Sequence, residues 1–193
     1  MLVENVLKMY YVGGMKVIVI INSKGGCGKS TLALSLADVL GAQIVDLDYQ
    51  STITNSAKFT GRHKPIMPDE ATANYIVYDT PPYRDAAISN LVRQADYIVI
   101  PSLLSYPDLL AIKPTIDLVA TLPAKKCIVF NRVKRTMTSN NQQLRYYFEK
   151  NYGYITSAKT EISELKAFQN VLTTPLAGVA KKQIEDLVKE LLG

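Results

Sequence analysis

Residues Lys16-Val17-Ile18-Val19-Ile20-Ile21 form a continuous apolar run, and Ser30 to Leu40 carries apolar residues near helical spacing. Between and into them runs Ser23-Lys24-Gly25-Gly26-Cys27-Gly28-Lys29-Ser30-Thr31. No other feature restricts the fold as strongly. A short apolar run without a polar face reads as a central strand of a parallel sheet. Glycines between such a strand and a helix let the backbone take turns that side chains forbid, so successive N–H groups can point inward at an anion. The helix beginning near Ser30 adds its positive end. This is the strand–loop–helix setting in which a phosphate-binding loop is expected. The expected ligands are a nucleoside triphosphate and Mg²⁺. Gly25, Gly26, Cys27, Gly28, Lys29, Ser30 and Thr31 would cradle the phosphates, with Lys29 reaching the β- and γ-phosphates and the Ser30 hydroxyl ligating the metal.

The rest of the chain repeats the alternation. Gln43–Leu47, Tyr75–Tyr78, Tyr97–Ile100 and Cys127–Phe130 read as strands. Asp85–Gln94, Asp108–Ala120 and Ser139–Lys150 read as helices, the second kinked or displaced by Pro114. A short strand at Tyr152–Ile155 and helices at Glu161–Asn170 and Val179–Leu192 are expected to close the chain. Ser51–Asn74, rich in Thr, Asn, Lys and Pro, reads as a mobile loop. Strands alternating with helices predict an open, mostly parallel, twisted α/β sheet flanked by helices. Residues 15–193 are expected to form one domain, preceded by an extension at 1–14 that reads as a loose terminus.

Cys27 and Cys127 stand a hundred residues apart, which builds neither a disulfide framework nor a zinc site and suits a reducing compartment such as the cytoplasm. No apolar run reaches the ~20 residues of a spanning helix. The formal charge is +5, and Thr121–Lys150 holds seven basic residues against one acid, Glu149. A local cationic field of this kind favours a polyanion. Lys125, Lys126, Lys134, Arg135 and Arg145 are the candidate DNA contacts. The lone histidine, His63, is assigned no catalytic role.

The glycine-rich loop departs from the common G-x-x-x-x-G-K-[ST] pattern: serine stands at 23 where the first glycine would be, and an additional lysine follows at 24. The pattern Lys-Gly-Gly-x-Gly-Lys-Ser resembles the deviant Walker A loop of the ParA/MinD family, and most closely its short plasmid-type partition ATPases. Further matches appear in family order. Val45-Asp46-Leu47-Asp48-Tyr49-Gln50 resembles the second motif, with tyrosine where proline usually stands. Ile76-Val77-Tyr78-Asp79-Thr80-Pro81-Pro82 resembles Walker B, and Val129-Phe130-Asn131-Arg132-Val133 the adenine-side motif. The resemblance implies an ATPase with weak basal, partner-stimulated turnover. Lys24 would reach the nucleotide of a facing subunit, Asp48 would orient the attacking water, and Asp46 and Asp79 would stand with Ser30 at the metal. Asn131 would read the base and Arg132 pack on it. It also implies an ATP-dependent homodimer that coats nucleoid DNA without sequence preference and works with a centromere-binding partner. A membrane-bound positioning ATPase is a second reading, but Ala180–Gly193 lacks Phe and Trp and balances its lysines with acids, which suits a packed helix. A cluster-bridged electron carrier is disfavoured, because it needs two suitably placed cysteines per subunit.

Overall fold

The computed structural model describes residues 14–82, 86–134, 136 and 138–193. The expected extension therefore lies outside the described residues apart from Gly14, as do Asp85 and Arg135. Five strands form one sheet in the order β2-β3-β1-β4-β5: β1 (Lys16–Ile20), β2 (Gln43–Asp46), β3 (Tyr75–Asp79), β4 (Tyr97–Leu103) and β5 (Lys125–Asn131). All of their pairings are parallel. The open parallel α/β sheet expected from the sequence is borne out.

The middle of each strand is apolar because both faces of the sheet are covered, and polar residues stand at the strand ends. Along β1 the side chains alternate: Val17 and Val19 enter one core, Ile18 and Ile20 the other. The first core receives α3 (Ala86–Gln94), α4 (Tyr106–Ala111), α5 (Lys113–Val119) and α6 (Thr138–Tyr152) through Leu91, Leu109, Ile116 and Phe148. The second receives α1 (Lys29–Leu40) and α8 (Gly178–Leu192) through Leu32, Leu36, Ile184 and Leu187. Ile18, Val19 and Ile20 are each fully buried, and each such side chain contributes about 1.5–3 kcal/mol of transfer free energy. The apolar face of α8 is thus spent on the core. No helix among the described residues is long and apolar enough to cross a membrane.

Four expectations are corrected. Ser51–Asn74 is not an irregular loop: it carries α2 (Thr52–Thr60) and a 3₁₀ turn at Pro68–Glu70. Only Ile53 of α2 is buried. Its first turn is instead held from a distance by Asp46, which accepts the Thr54 N–H at 2.9 Å and the Thr54 hydroxyl at 2.8 Å. A helix tied down by one apolar side chain and a remote carboxylate leaves no periodic signal. The expected strand at Tyr152–Ile155 is absent, since α6 continues to Tyr152. The next residues pair with β5 instead: the Ile128 N–H donates to Thr156, and the Ala158 N–H to Ile128. The helix expected at Glu161–Asn170 shrinks to α7 (Lys166–Gln169). Ile162 to Glu164 run beside the end of β5, with the Val133 N–H donating to Ile162 and the Glu164 N–H to Val133. The outer edge of β5 offers unpaired backbone groups, and their satisfaction outweighs the weak helical preference of this segment. Finally, Asp108–Ala120 is two helices with a junction at Ile112, and Pro114 stands in the first turn of the second, where its missing N–H costs nothing.

Candidate functional site

Sheet register assembles the site. Ile20, the last residue of β1, pairs with Asp79 at the end of β3, and Asp79 pairs in turn with Asp46 at the end of β2. The glycine-rich loop leaves β1 one residue later, so loop and carboxylates share the carboxyl edge of the sheet, where ligands of open parallel sheets bind.

The loop is anchored at several points. Asn22 donates to the Pro101 carbonyl at 2.8 Å and accepts the Lys24 N–H at 2.9 Å, while the Ser23 N–H donates to the Thr115 hydroxyl at 3.0 Å. Gly28 sits at φ 97°, and a Cβ there would meet the Asn131 amide at 2.1 Å, so only glycine fits. Asn131, buried, donates to the Cys27 carbonyl at 2.9 Å. Cys27 is buried too, and burial pushes its thiol above the ordinary value, leaving it a proton with which to bond the Lys24 carbonyl at 3.3 Å. The Lys29 ammonium, with the residue only 6% exposed, donates to the same carbonyl at 3.2 Å. The first turn of α1 opens directly after this cradle, and Ser30 and Thr31 line it.

Loop, Asp48, Asn131 and Arg132 border a cavity of about 460 Å³, which Glu164 and Phe168 also line. Beneath the loop lies Asp79, fully buried, with neither carboxylate oxygen partnered among the described residues. Burial, reinforced by the nearby Asp46 and Asp48 charges and only partly countered by Ser30 and Lys29, raises its pKa to about 7. A bare buried carboxylate beside a serine hydroxyl, under a loop built for phosphate, fits Mg²⁺, which uses one or two carboxylates and completes its shell with water and phosphate. Among the described residues no group of three or more His, Cys, Asp or Glu converges on one point, so a cage of protein ligands alone is not what the site offers.

This arrangement sets a stability test for the free protein. The unfolded carboxyl titrates at its ordinary 3.8, the folded one at about 7. Below both values there is no penalty; as pH rises through that window the unfolded state gives up its proton first, and stability falls. Above about pH 7 the full cost of about 4 kcal/mol applies. Without nucleotide or metal, Asp79→Asn should melt well above the wild type at about pH 8 and close to it at about pH 4. Calorimetric scans at both pH values check this, and parallel Tm profiles for the two proteins would refute it.

The other expected site residues fall as follows. Asp48 lines the cavity, and one of its oxygens accepts the Gln50 N–H at 3.0 Å. Asp46 lies near Asp79 but is engaged by Thr54 and by the Asp48 N–H at 3.2 Å. Lys24 is not in the cavity: its ammonium lies 2.7 Å from Asp108, a contact of charges without hydrogen-bond alignment. Asp108 is held in turn by the Ser105 hydroxyl. Asn131 uses its amide on the loop and its carbonyl on the Arg132 N–H at 2.9 Å.

The candidate polyanion contacts do not act as one patch. Lys126 donates to the Val119, Ala120 and Leu122 carbonyls and so caps α5. Arg145 forms a forked pair with Glu161 at 2.5 and 2.6 Å. Lys134 stands 3.8 Å from Glu164, while Lys125 is exposed. Glu164 and Phe168 were not anticipated as cavity residues, because the segment that carries them reaches the site only by pairing with β5.

Fold and site together define a P-loop nucleotide-binding domain. Residues 18–170 match the CobQ/CobB/MinD/ParA nucleotide binding domain, and the chain belongs to that family. Maintenance of carboxysome distribution protein A of Halothiobacillus neapolitanus is 28% identical over 123 residues, 53% of this chain; the match spans just over half of that relative, 57%. Among solved structures, Cyanothece apo McdA superposes with TM-score 0.73 at 16% identity, covering 93% of this chain and 100% of the other. A plasmid partition protein of Borrelia burgdorferi B31 bound to AMPPNP superposes with TM-score 0.71 at 18% identity, covering 91% and 97%.

Proposed function

We propose that this chain is a Mg²⁺-dependent ATPase that pairs with a second copy of itself on ATP. In this reading it binds DNA without sequence preference and, with a centromere-binding partner, distributes a plasmid or chromosome. The observation that carries the nucleotide part is the buried Asp79 carboxylate, without a hydrogen-bond partner among the described residues, beneath an anchored glycine loop. The metal would supply charge stabilisation at the phosphates, held through Ser30 and Asp79. Lys29 and the loop N–H groups would hold the phosphoryl oxygens, Asp48 would orient water at the open side, and Arg132 would pack on the base. Lys24, resting on Asp108 in the single chain, has to leave that contact to reach across to a partner. Slow unstimulated turnover and a nucleoid-associated, cytoplasmic protein follow from the same reading.

The likeness to a carboxysome distribution protein favours a second cargo: the same DNA-bound, ATP-gated cycle moving a protein assembly instead of a replicon. A membrane surface finds less support, because the apolar face of α8 is buried on α1.

DNA binding measured without nucleotide, with ADP and with ATP across a salt series tests the reading. Affinity should appear with ATP and fall steeply with salt, and Lys125→Ala and Lys134→Ala should each flatten the log–log slope by about one. Lys126→Ala and Arg145→Ala should act on stability instead. Absence of binding in every nucleotide state would remove DNA from the proposal.

A further inference from the structure

We propose that Glu164 is a positioning residue for the nucleobase: it holds the Arg132 guanidinium against the base end of the cavity. The inference rests on the reading of this cavity as an ATP site. Two independent observations carry it. Arg132 has φ 54°, the left-handed region that a residue with a Cβ enters only when its surroundings impose it. Here they do: its N–H is held by Asn131, which is locked to the glycine loop at Cys27. The side chain is held at its other end, where the guanidinium lies 3.5 Å from the Glu164 carboxylate. Arg132, Asn131 and Glu164 all border the cavity. Glu164 is placed there by backbone pairing of its own N–H with Val133.

The arrangement is a bracket. The loop end fixes where the Arg132 backbone sits, and Glu164 fixes where its planar cation points. An arginine half exposed to water and held at only one end would sample many rotamers, and a base would bear the entropy of ordering it. Held at both ends, it presents a pre-oriented face for stacking on an aromatic ring. Lys134 lies 3.8 Å from the other oxygen of the same carboxylate, so Glu164 also shields that lysine.

The sign of the effect separates this role from simple electrostatics. A carboxylate beside an anionic ligand repels it, so its neutralisation alone would tighten binding of ATP and of inorganic tripolyphosphate alike. Positioning predicts the reverse. Titration calorimetry of the full chain with Mg-ATP and with Mg-tripolyphosphate should show Glu164→Gln weakening ATP about tenfold while tripolyphosphate stays within about twofold. In an Arg132→Ala background, Glu164→Gln should cost nothing further toward ATP. Hydrolysis at saturating ATP should be unchanged, so that KM rises and kcat does not. Tighter ATP binding, an equal loss for both ligands, or additive losses in the double variant would each overturn the proposal. If wild-type protein binds tripolyphosphate as tightly as ATP, the base-site reading beneath it fails as well.

Discussion

Lys29→Ala should weaken nucleotide binding by orders of magnitude. The ammonium is held almost out of water at the floor of the loop, donating to the Lys24 carbonyl. That carbonyl is a neutral partner, which phosphate oxygens outcompete because bonds between two charged groups are shorter and stronger. Hydrogen bonds to charged groups contribute about 1.5–3 kcal/mol each. Loss of two such bonds weakens binding by a factor of about 10²–10⁴. The remaining structure tolerates the change, since the loop is also tied down through Asn22, Thr115 and Asn131. A circular dichroism spectrum like that of the wild type, with no heat on titration of Mg-ATP, is the expected pair of results. Binding within about tenfold of the wild type would show that the loop does not cradle phosphate in the manner described.

Asp48→Ala should separate binding from turnover. Asp48 stands where β2 runs out into a turn, its carbonyl accepting the Ser51 N–H at 2.7 Å and its carboxylate the Gln50 N–H at 3.0 Å. It is therefore fixed by its own turn, on the border of the cavity, and is not needed to hold any other element. Its charge is also one of those that push the Asp79 carboxyl upward. The alanine variant relieves that repulsion, so metal and nucleotide should bind at least as well as before. The loss should fall on hydrolysis, about 10²–10⁴-fold if the carboxylate positions or deprotonates water. If ATP also joins two copies, the variant should stay paired in ATP where the wild type separates, which a sizing column read alongside phosphate release reports directly. A variant that hydrolyses at the wild-type rate, or that falls apart in ATP as quickly, would assign Asp48 a structural role only.

The reach of the sequence differed by element for physical reasons. β1, its glycine loop and α1 are specified locally: branched apolar residues, three glycines and a helix start lie within one stretch of chain. The carboxylates at strand ends were legible for the same reason, because each strand is a short apolar run that stops at its acid. α2 was not, since its first turn depends on Asp46, eight positions earlier in the chain. Nor was Glu164, whose segment looks helical by composition and is drawn into extended pairing by the free edge of β5. Charge counting also overreached: it could not see that Arg145 on α6 is matched by Glu161 in the segment that follows, or that Lys126 serves three carbonyls.

The sequence by itself determined a parallel α/β sheet, the loop with its lysine and serine, and the order of the acids along the chain. Hydrophobic period and glycine freedom are properties of neighbouring residues, and they need no long-range partner to be read. Only the tertiary structure decided that Asp79 lies in the protein interior with no hydrogen-bond partner among the described residues, that Lys24 rests on Asp108, and that Arg132 is held between Asn131 and Glu164. Each of these depends on which strand lies beside which. That choice is made by the burial of both sheet faces and the pairing of strand with strand, and it appears in no single segment of the chain.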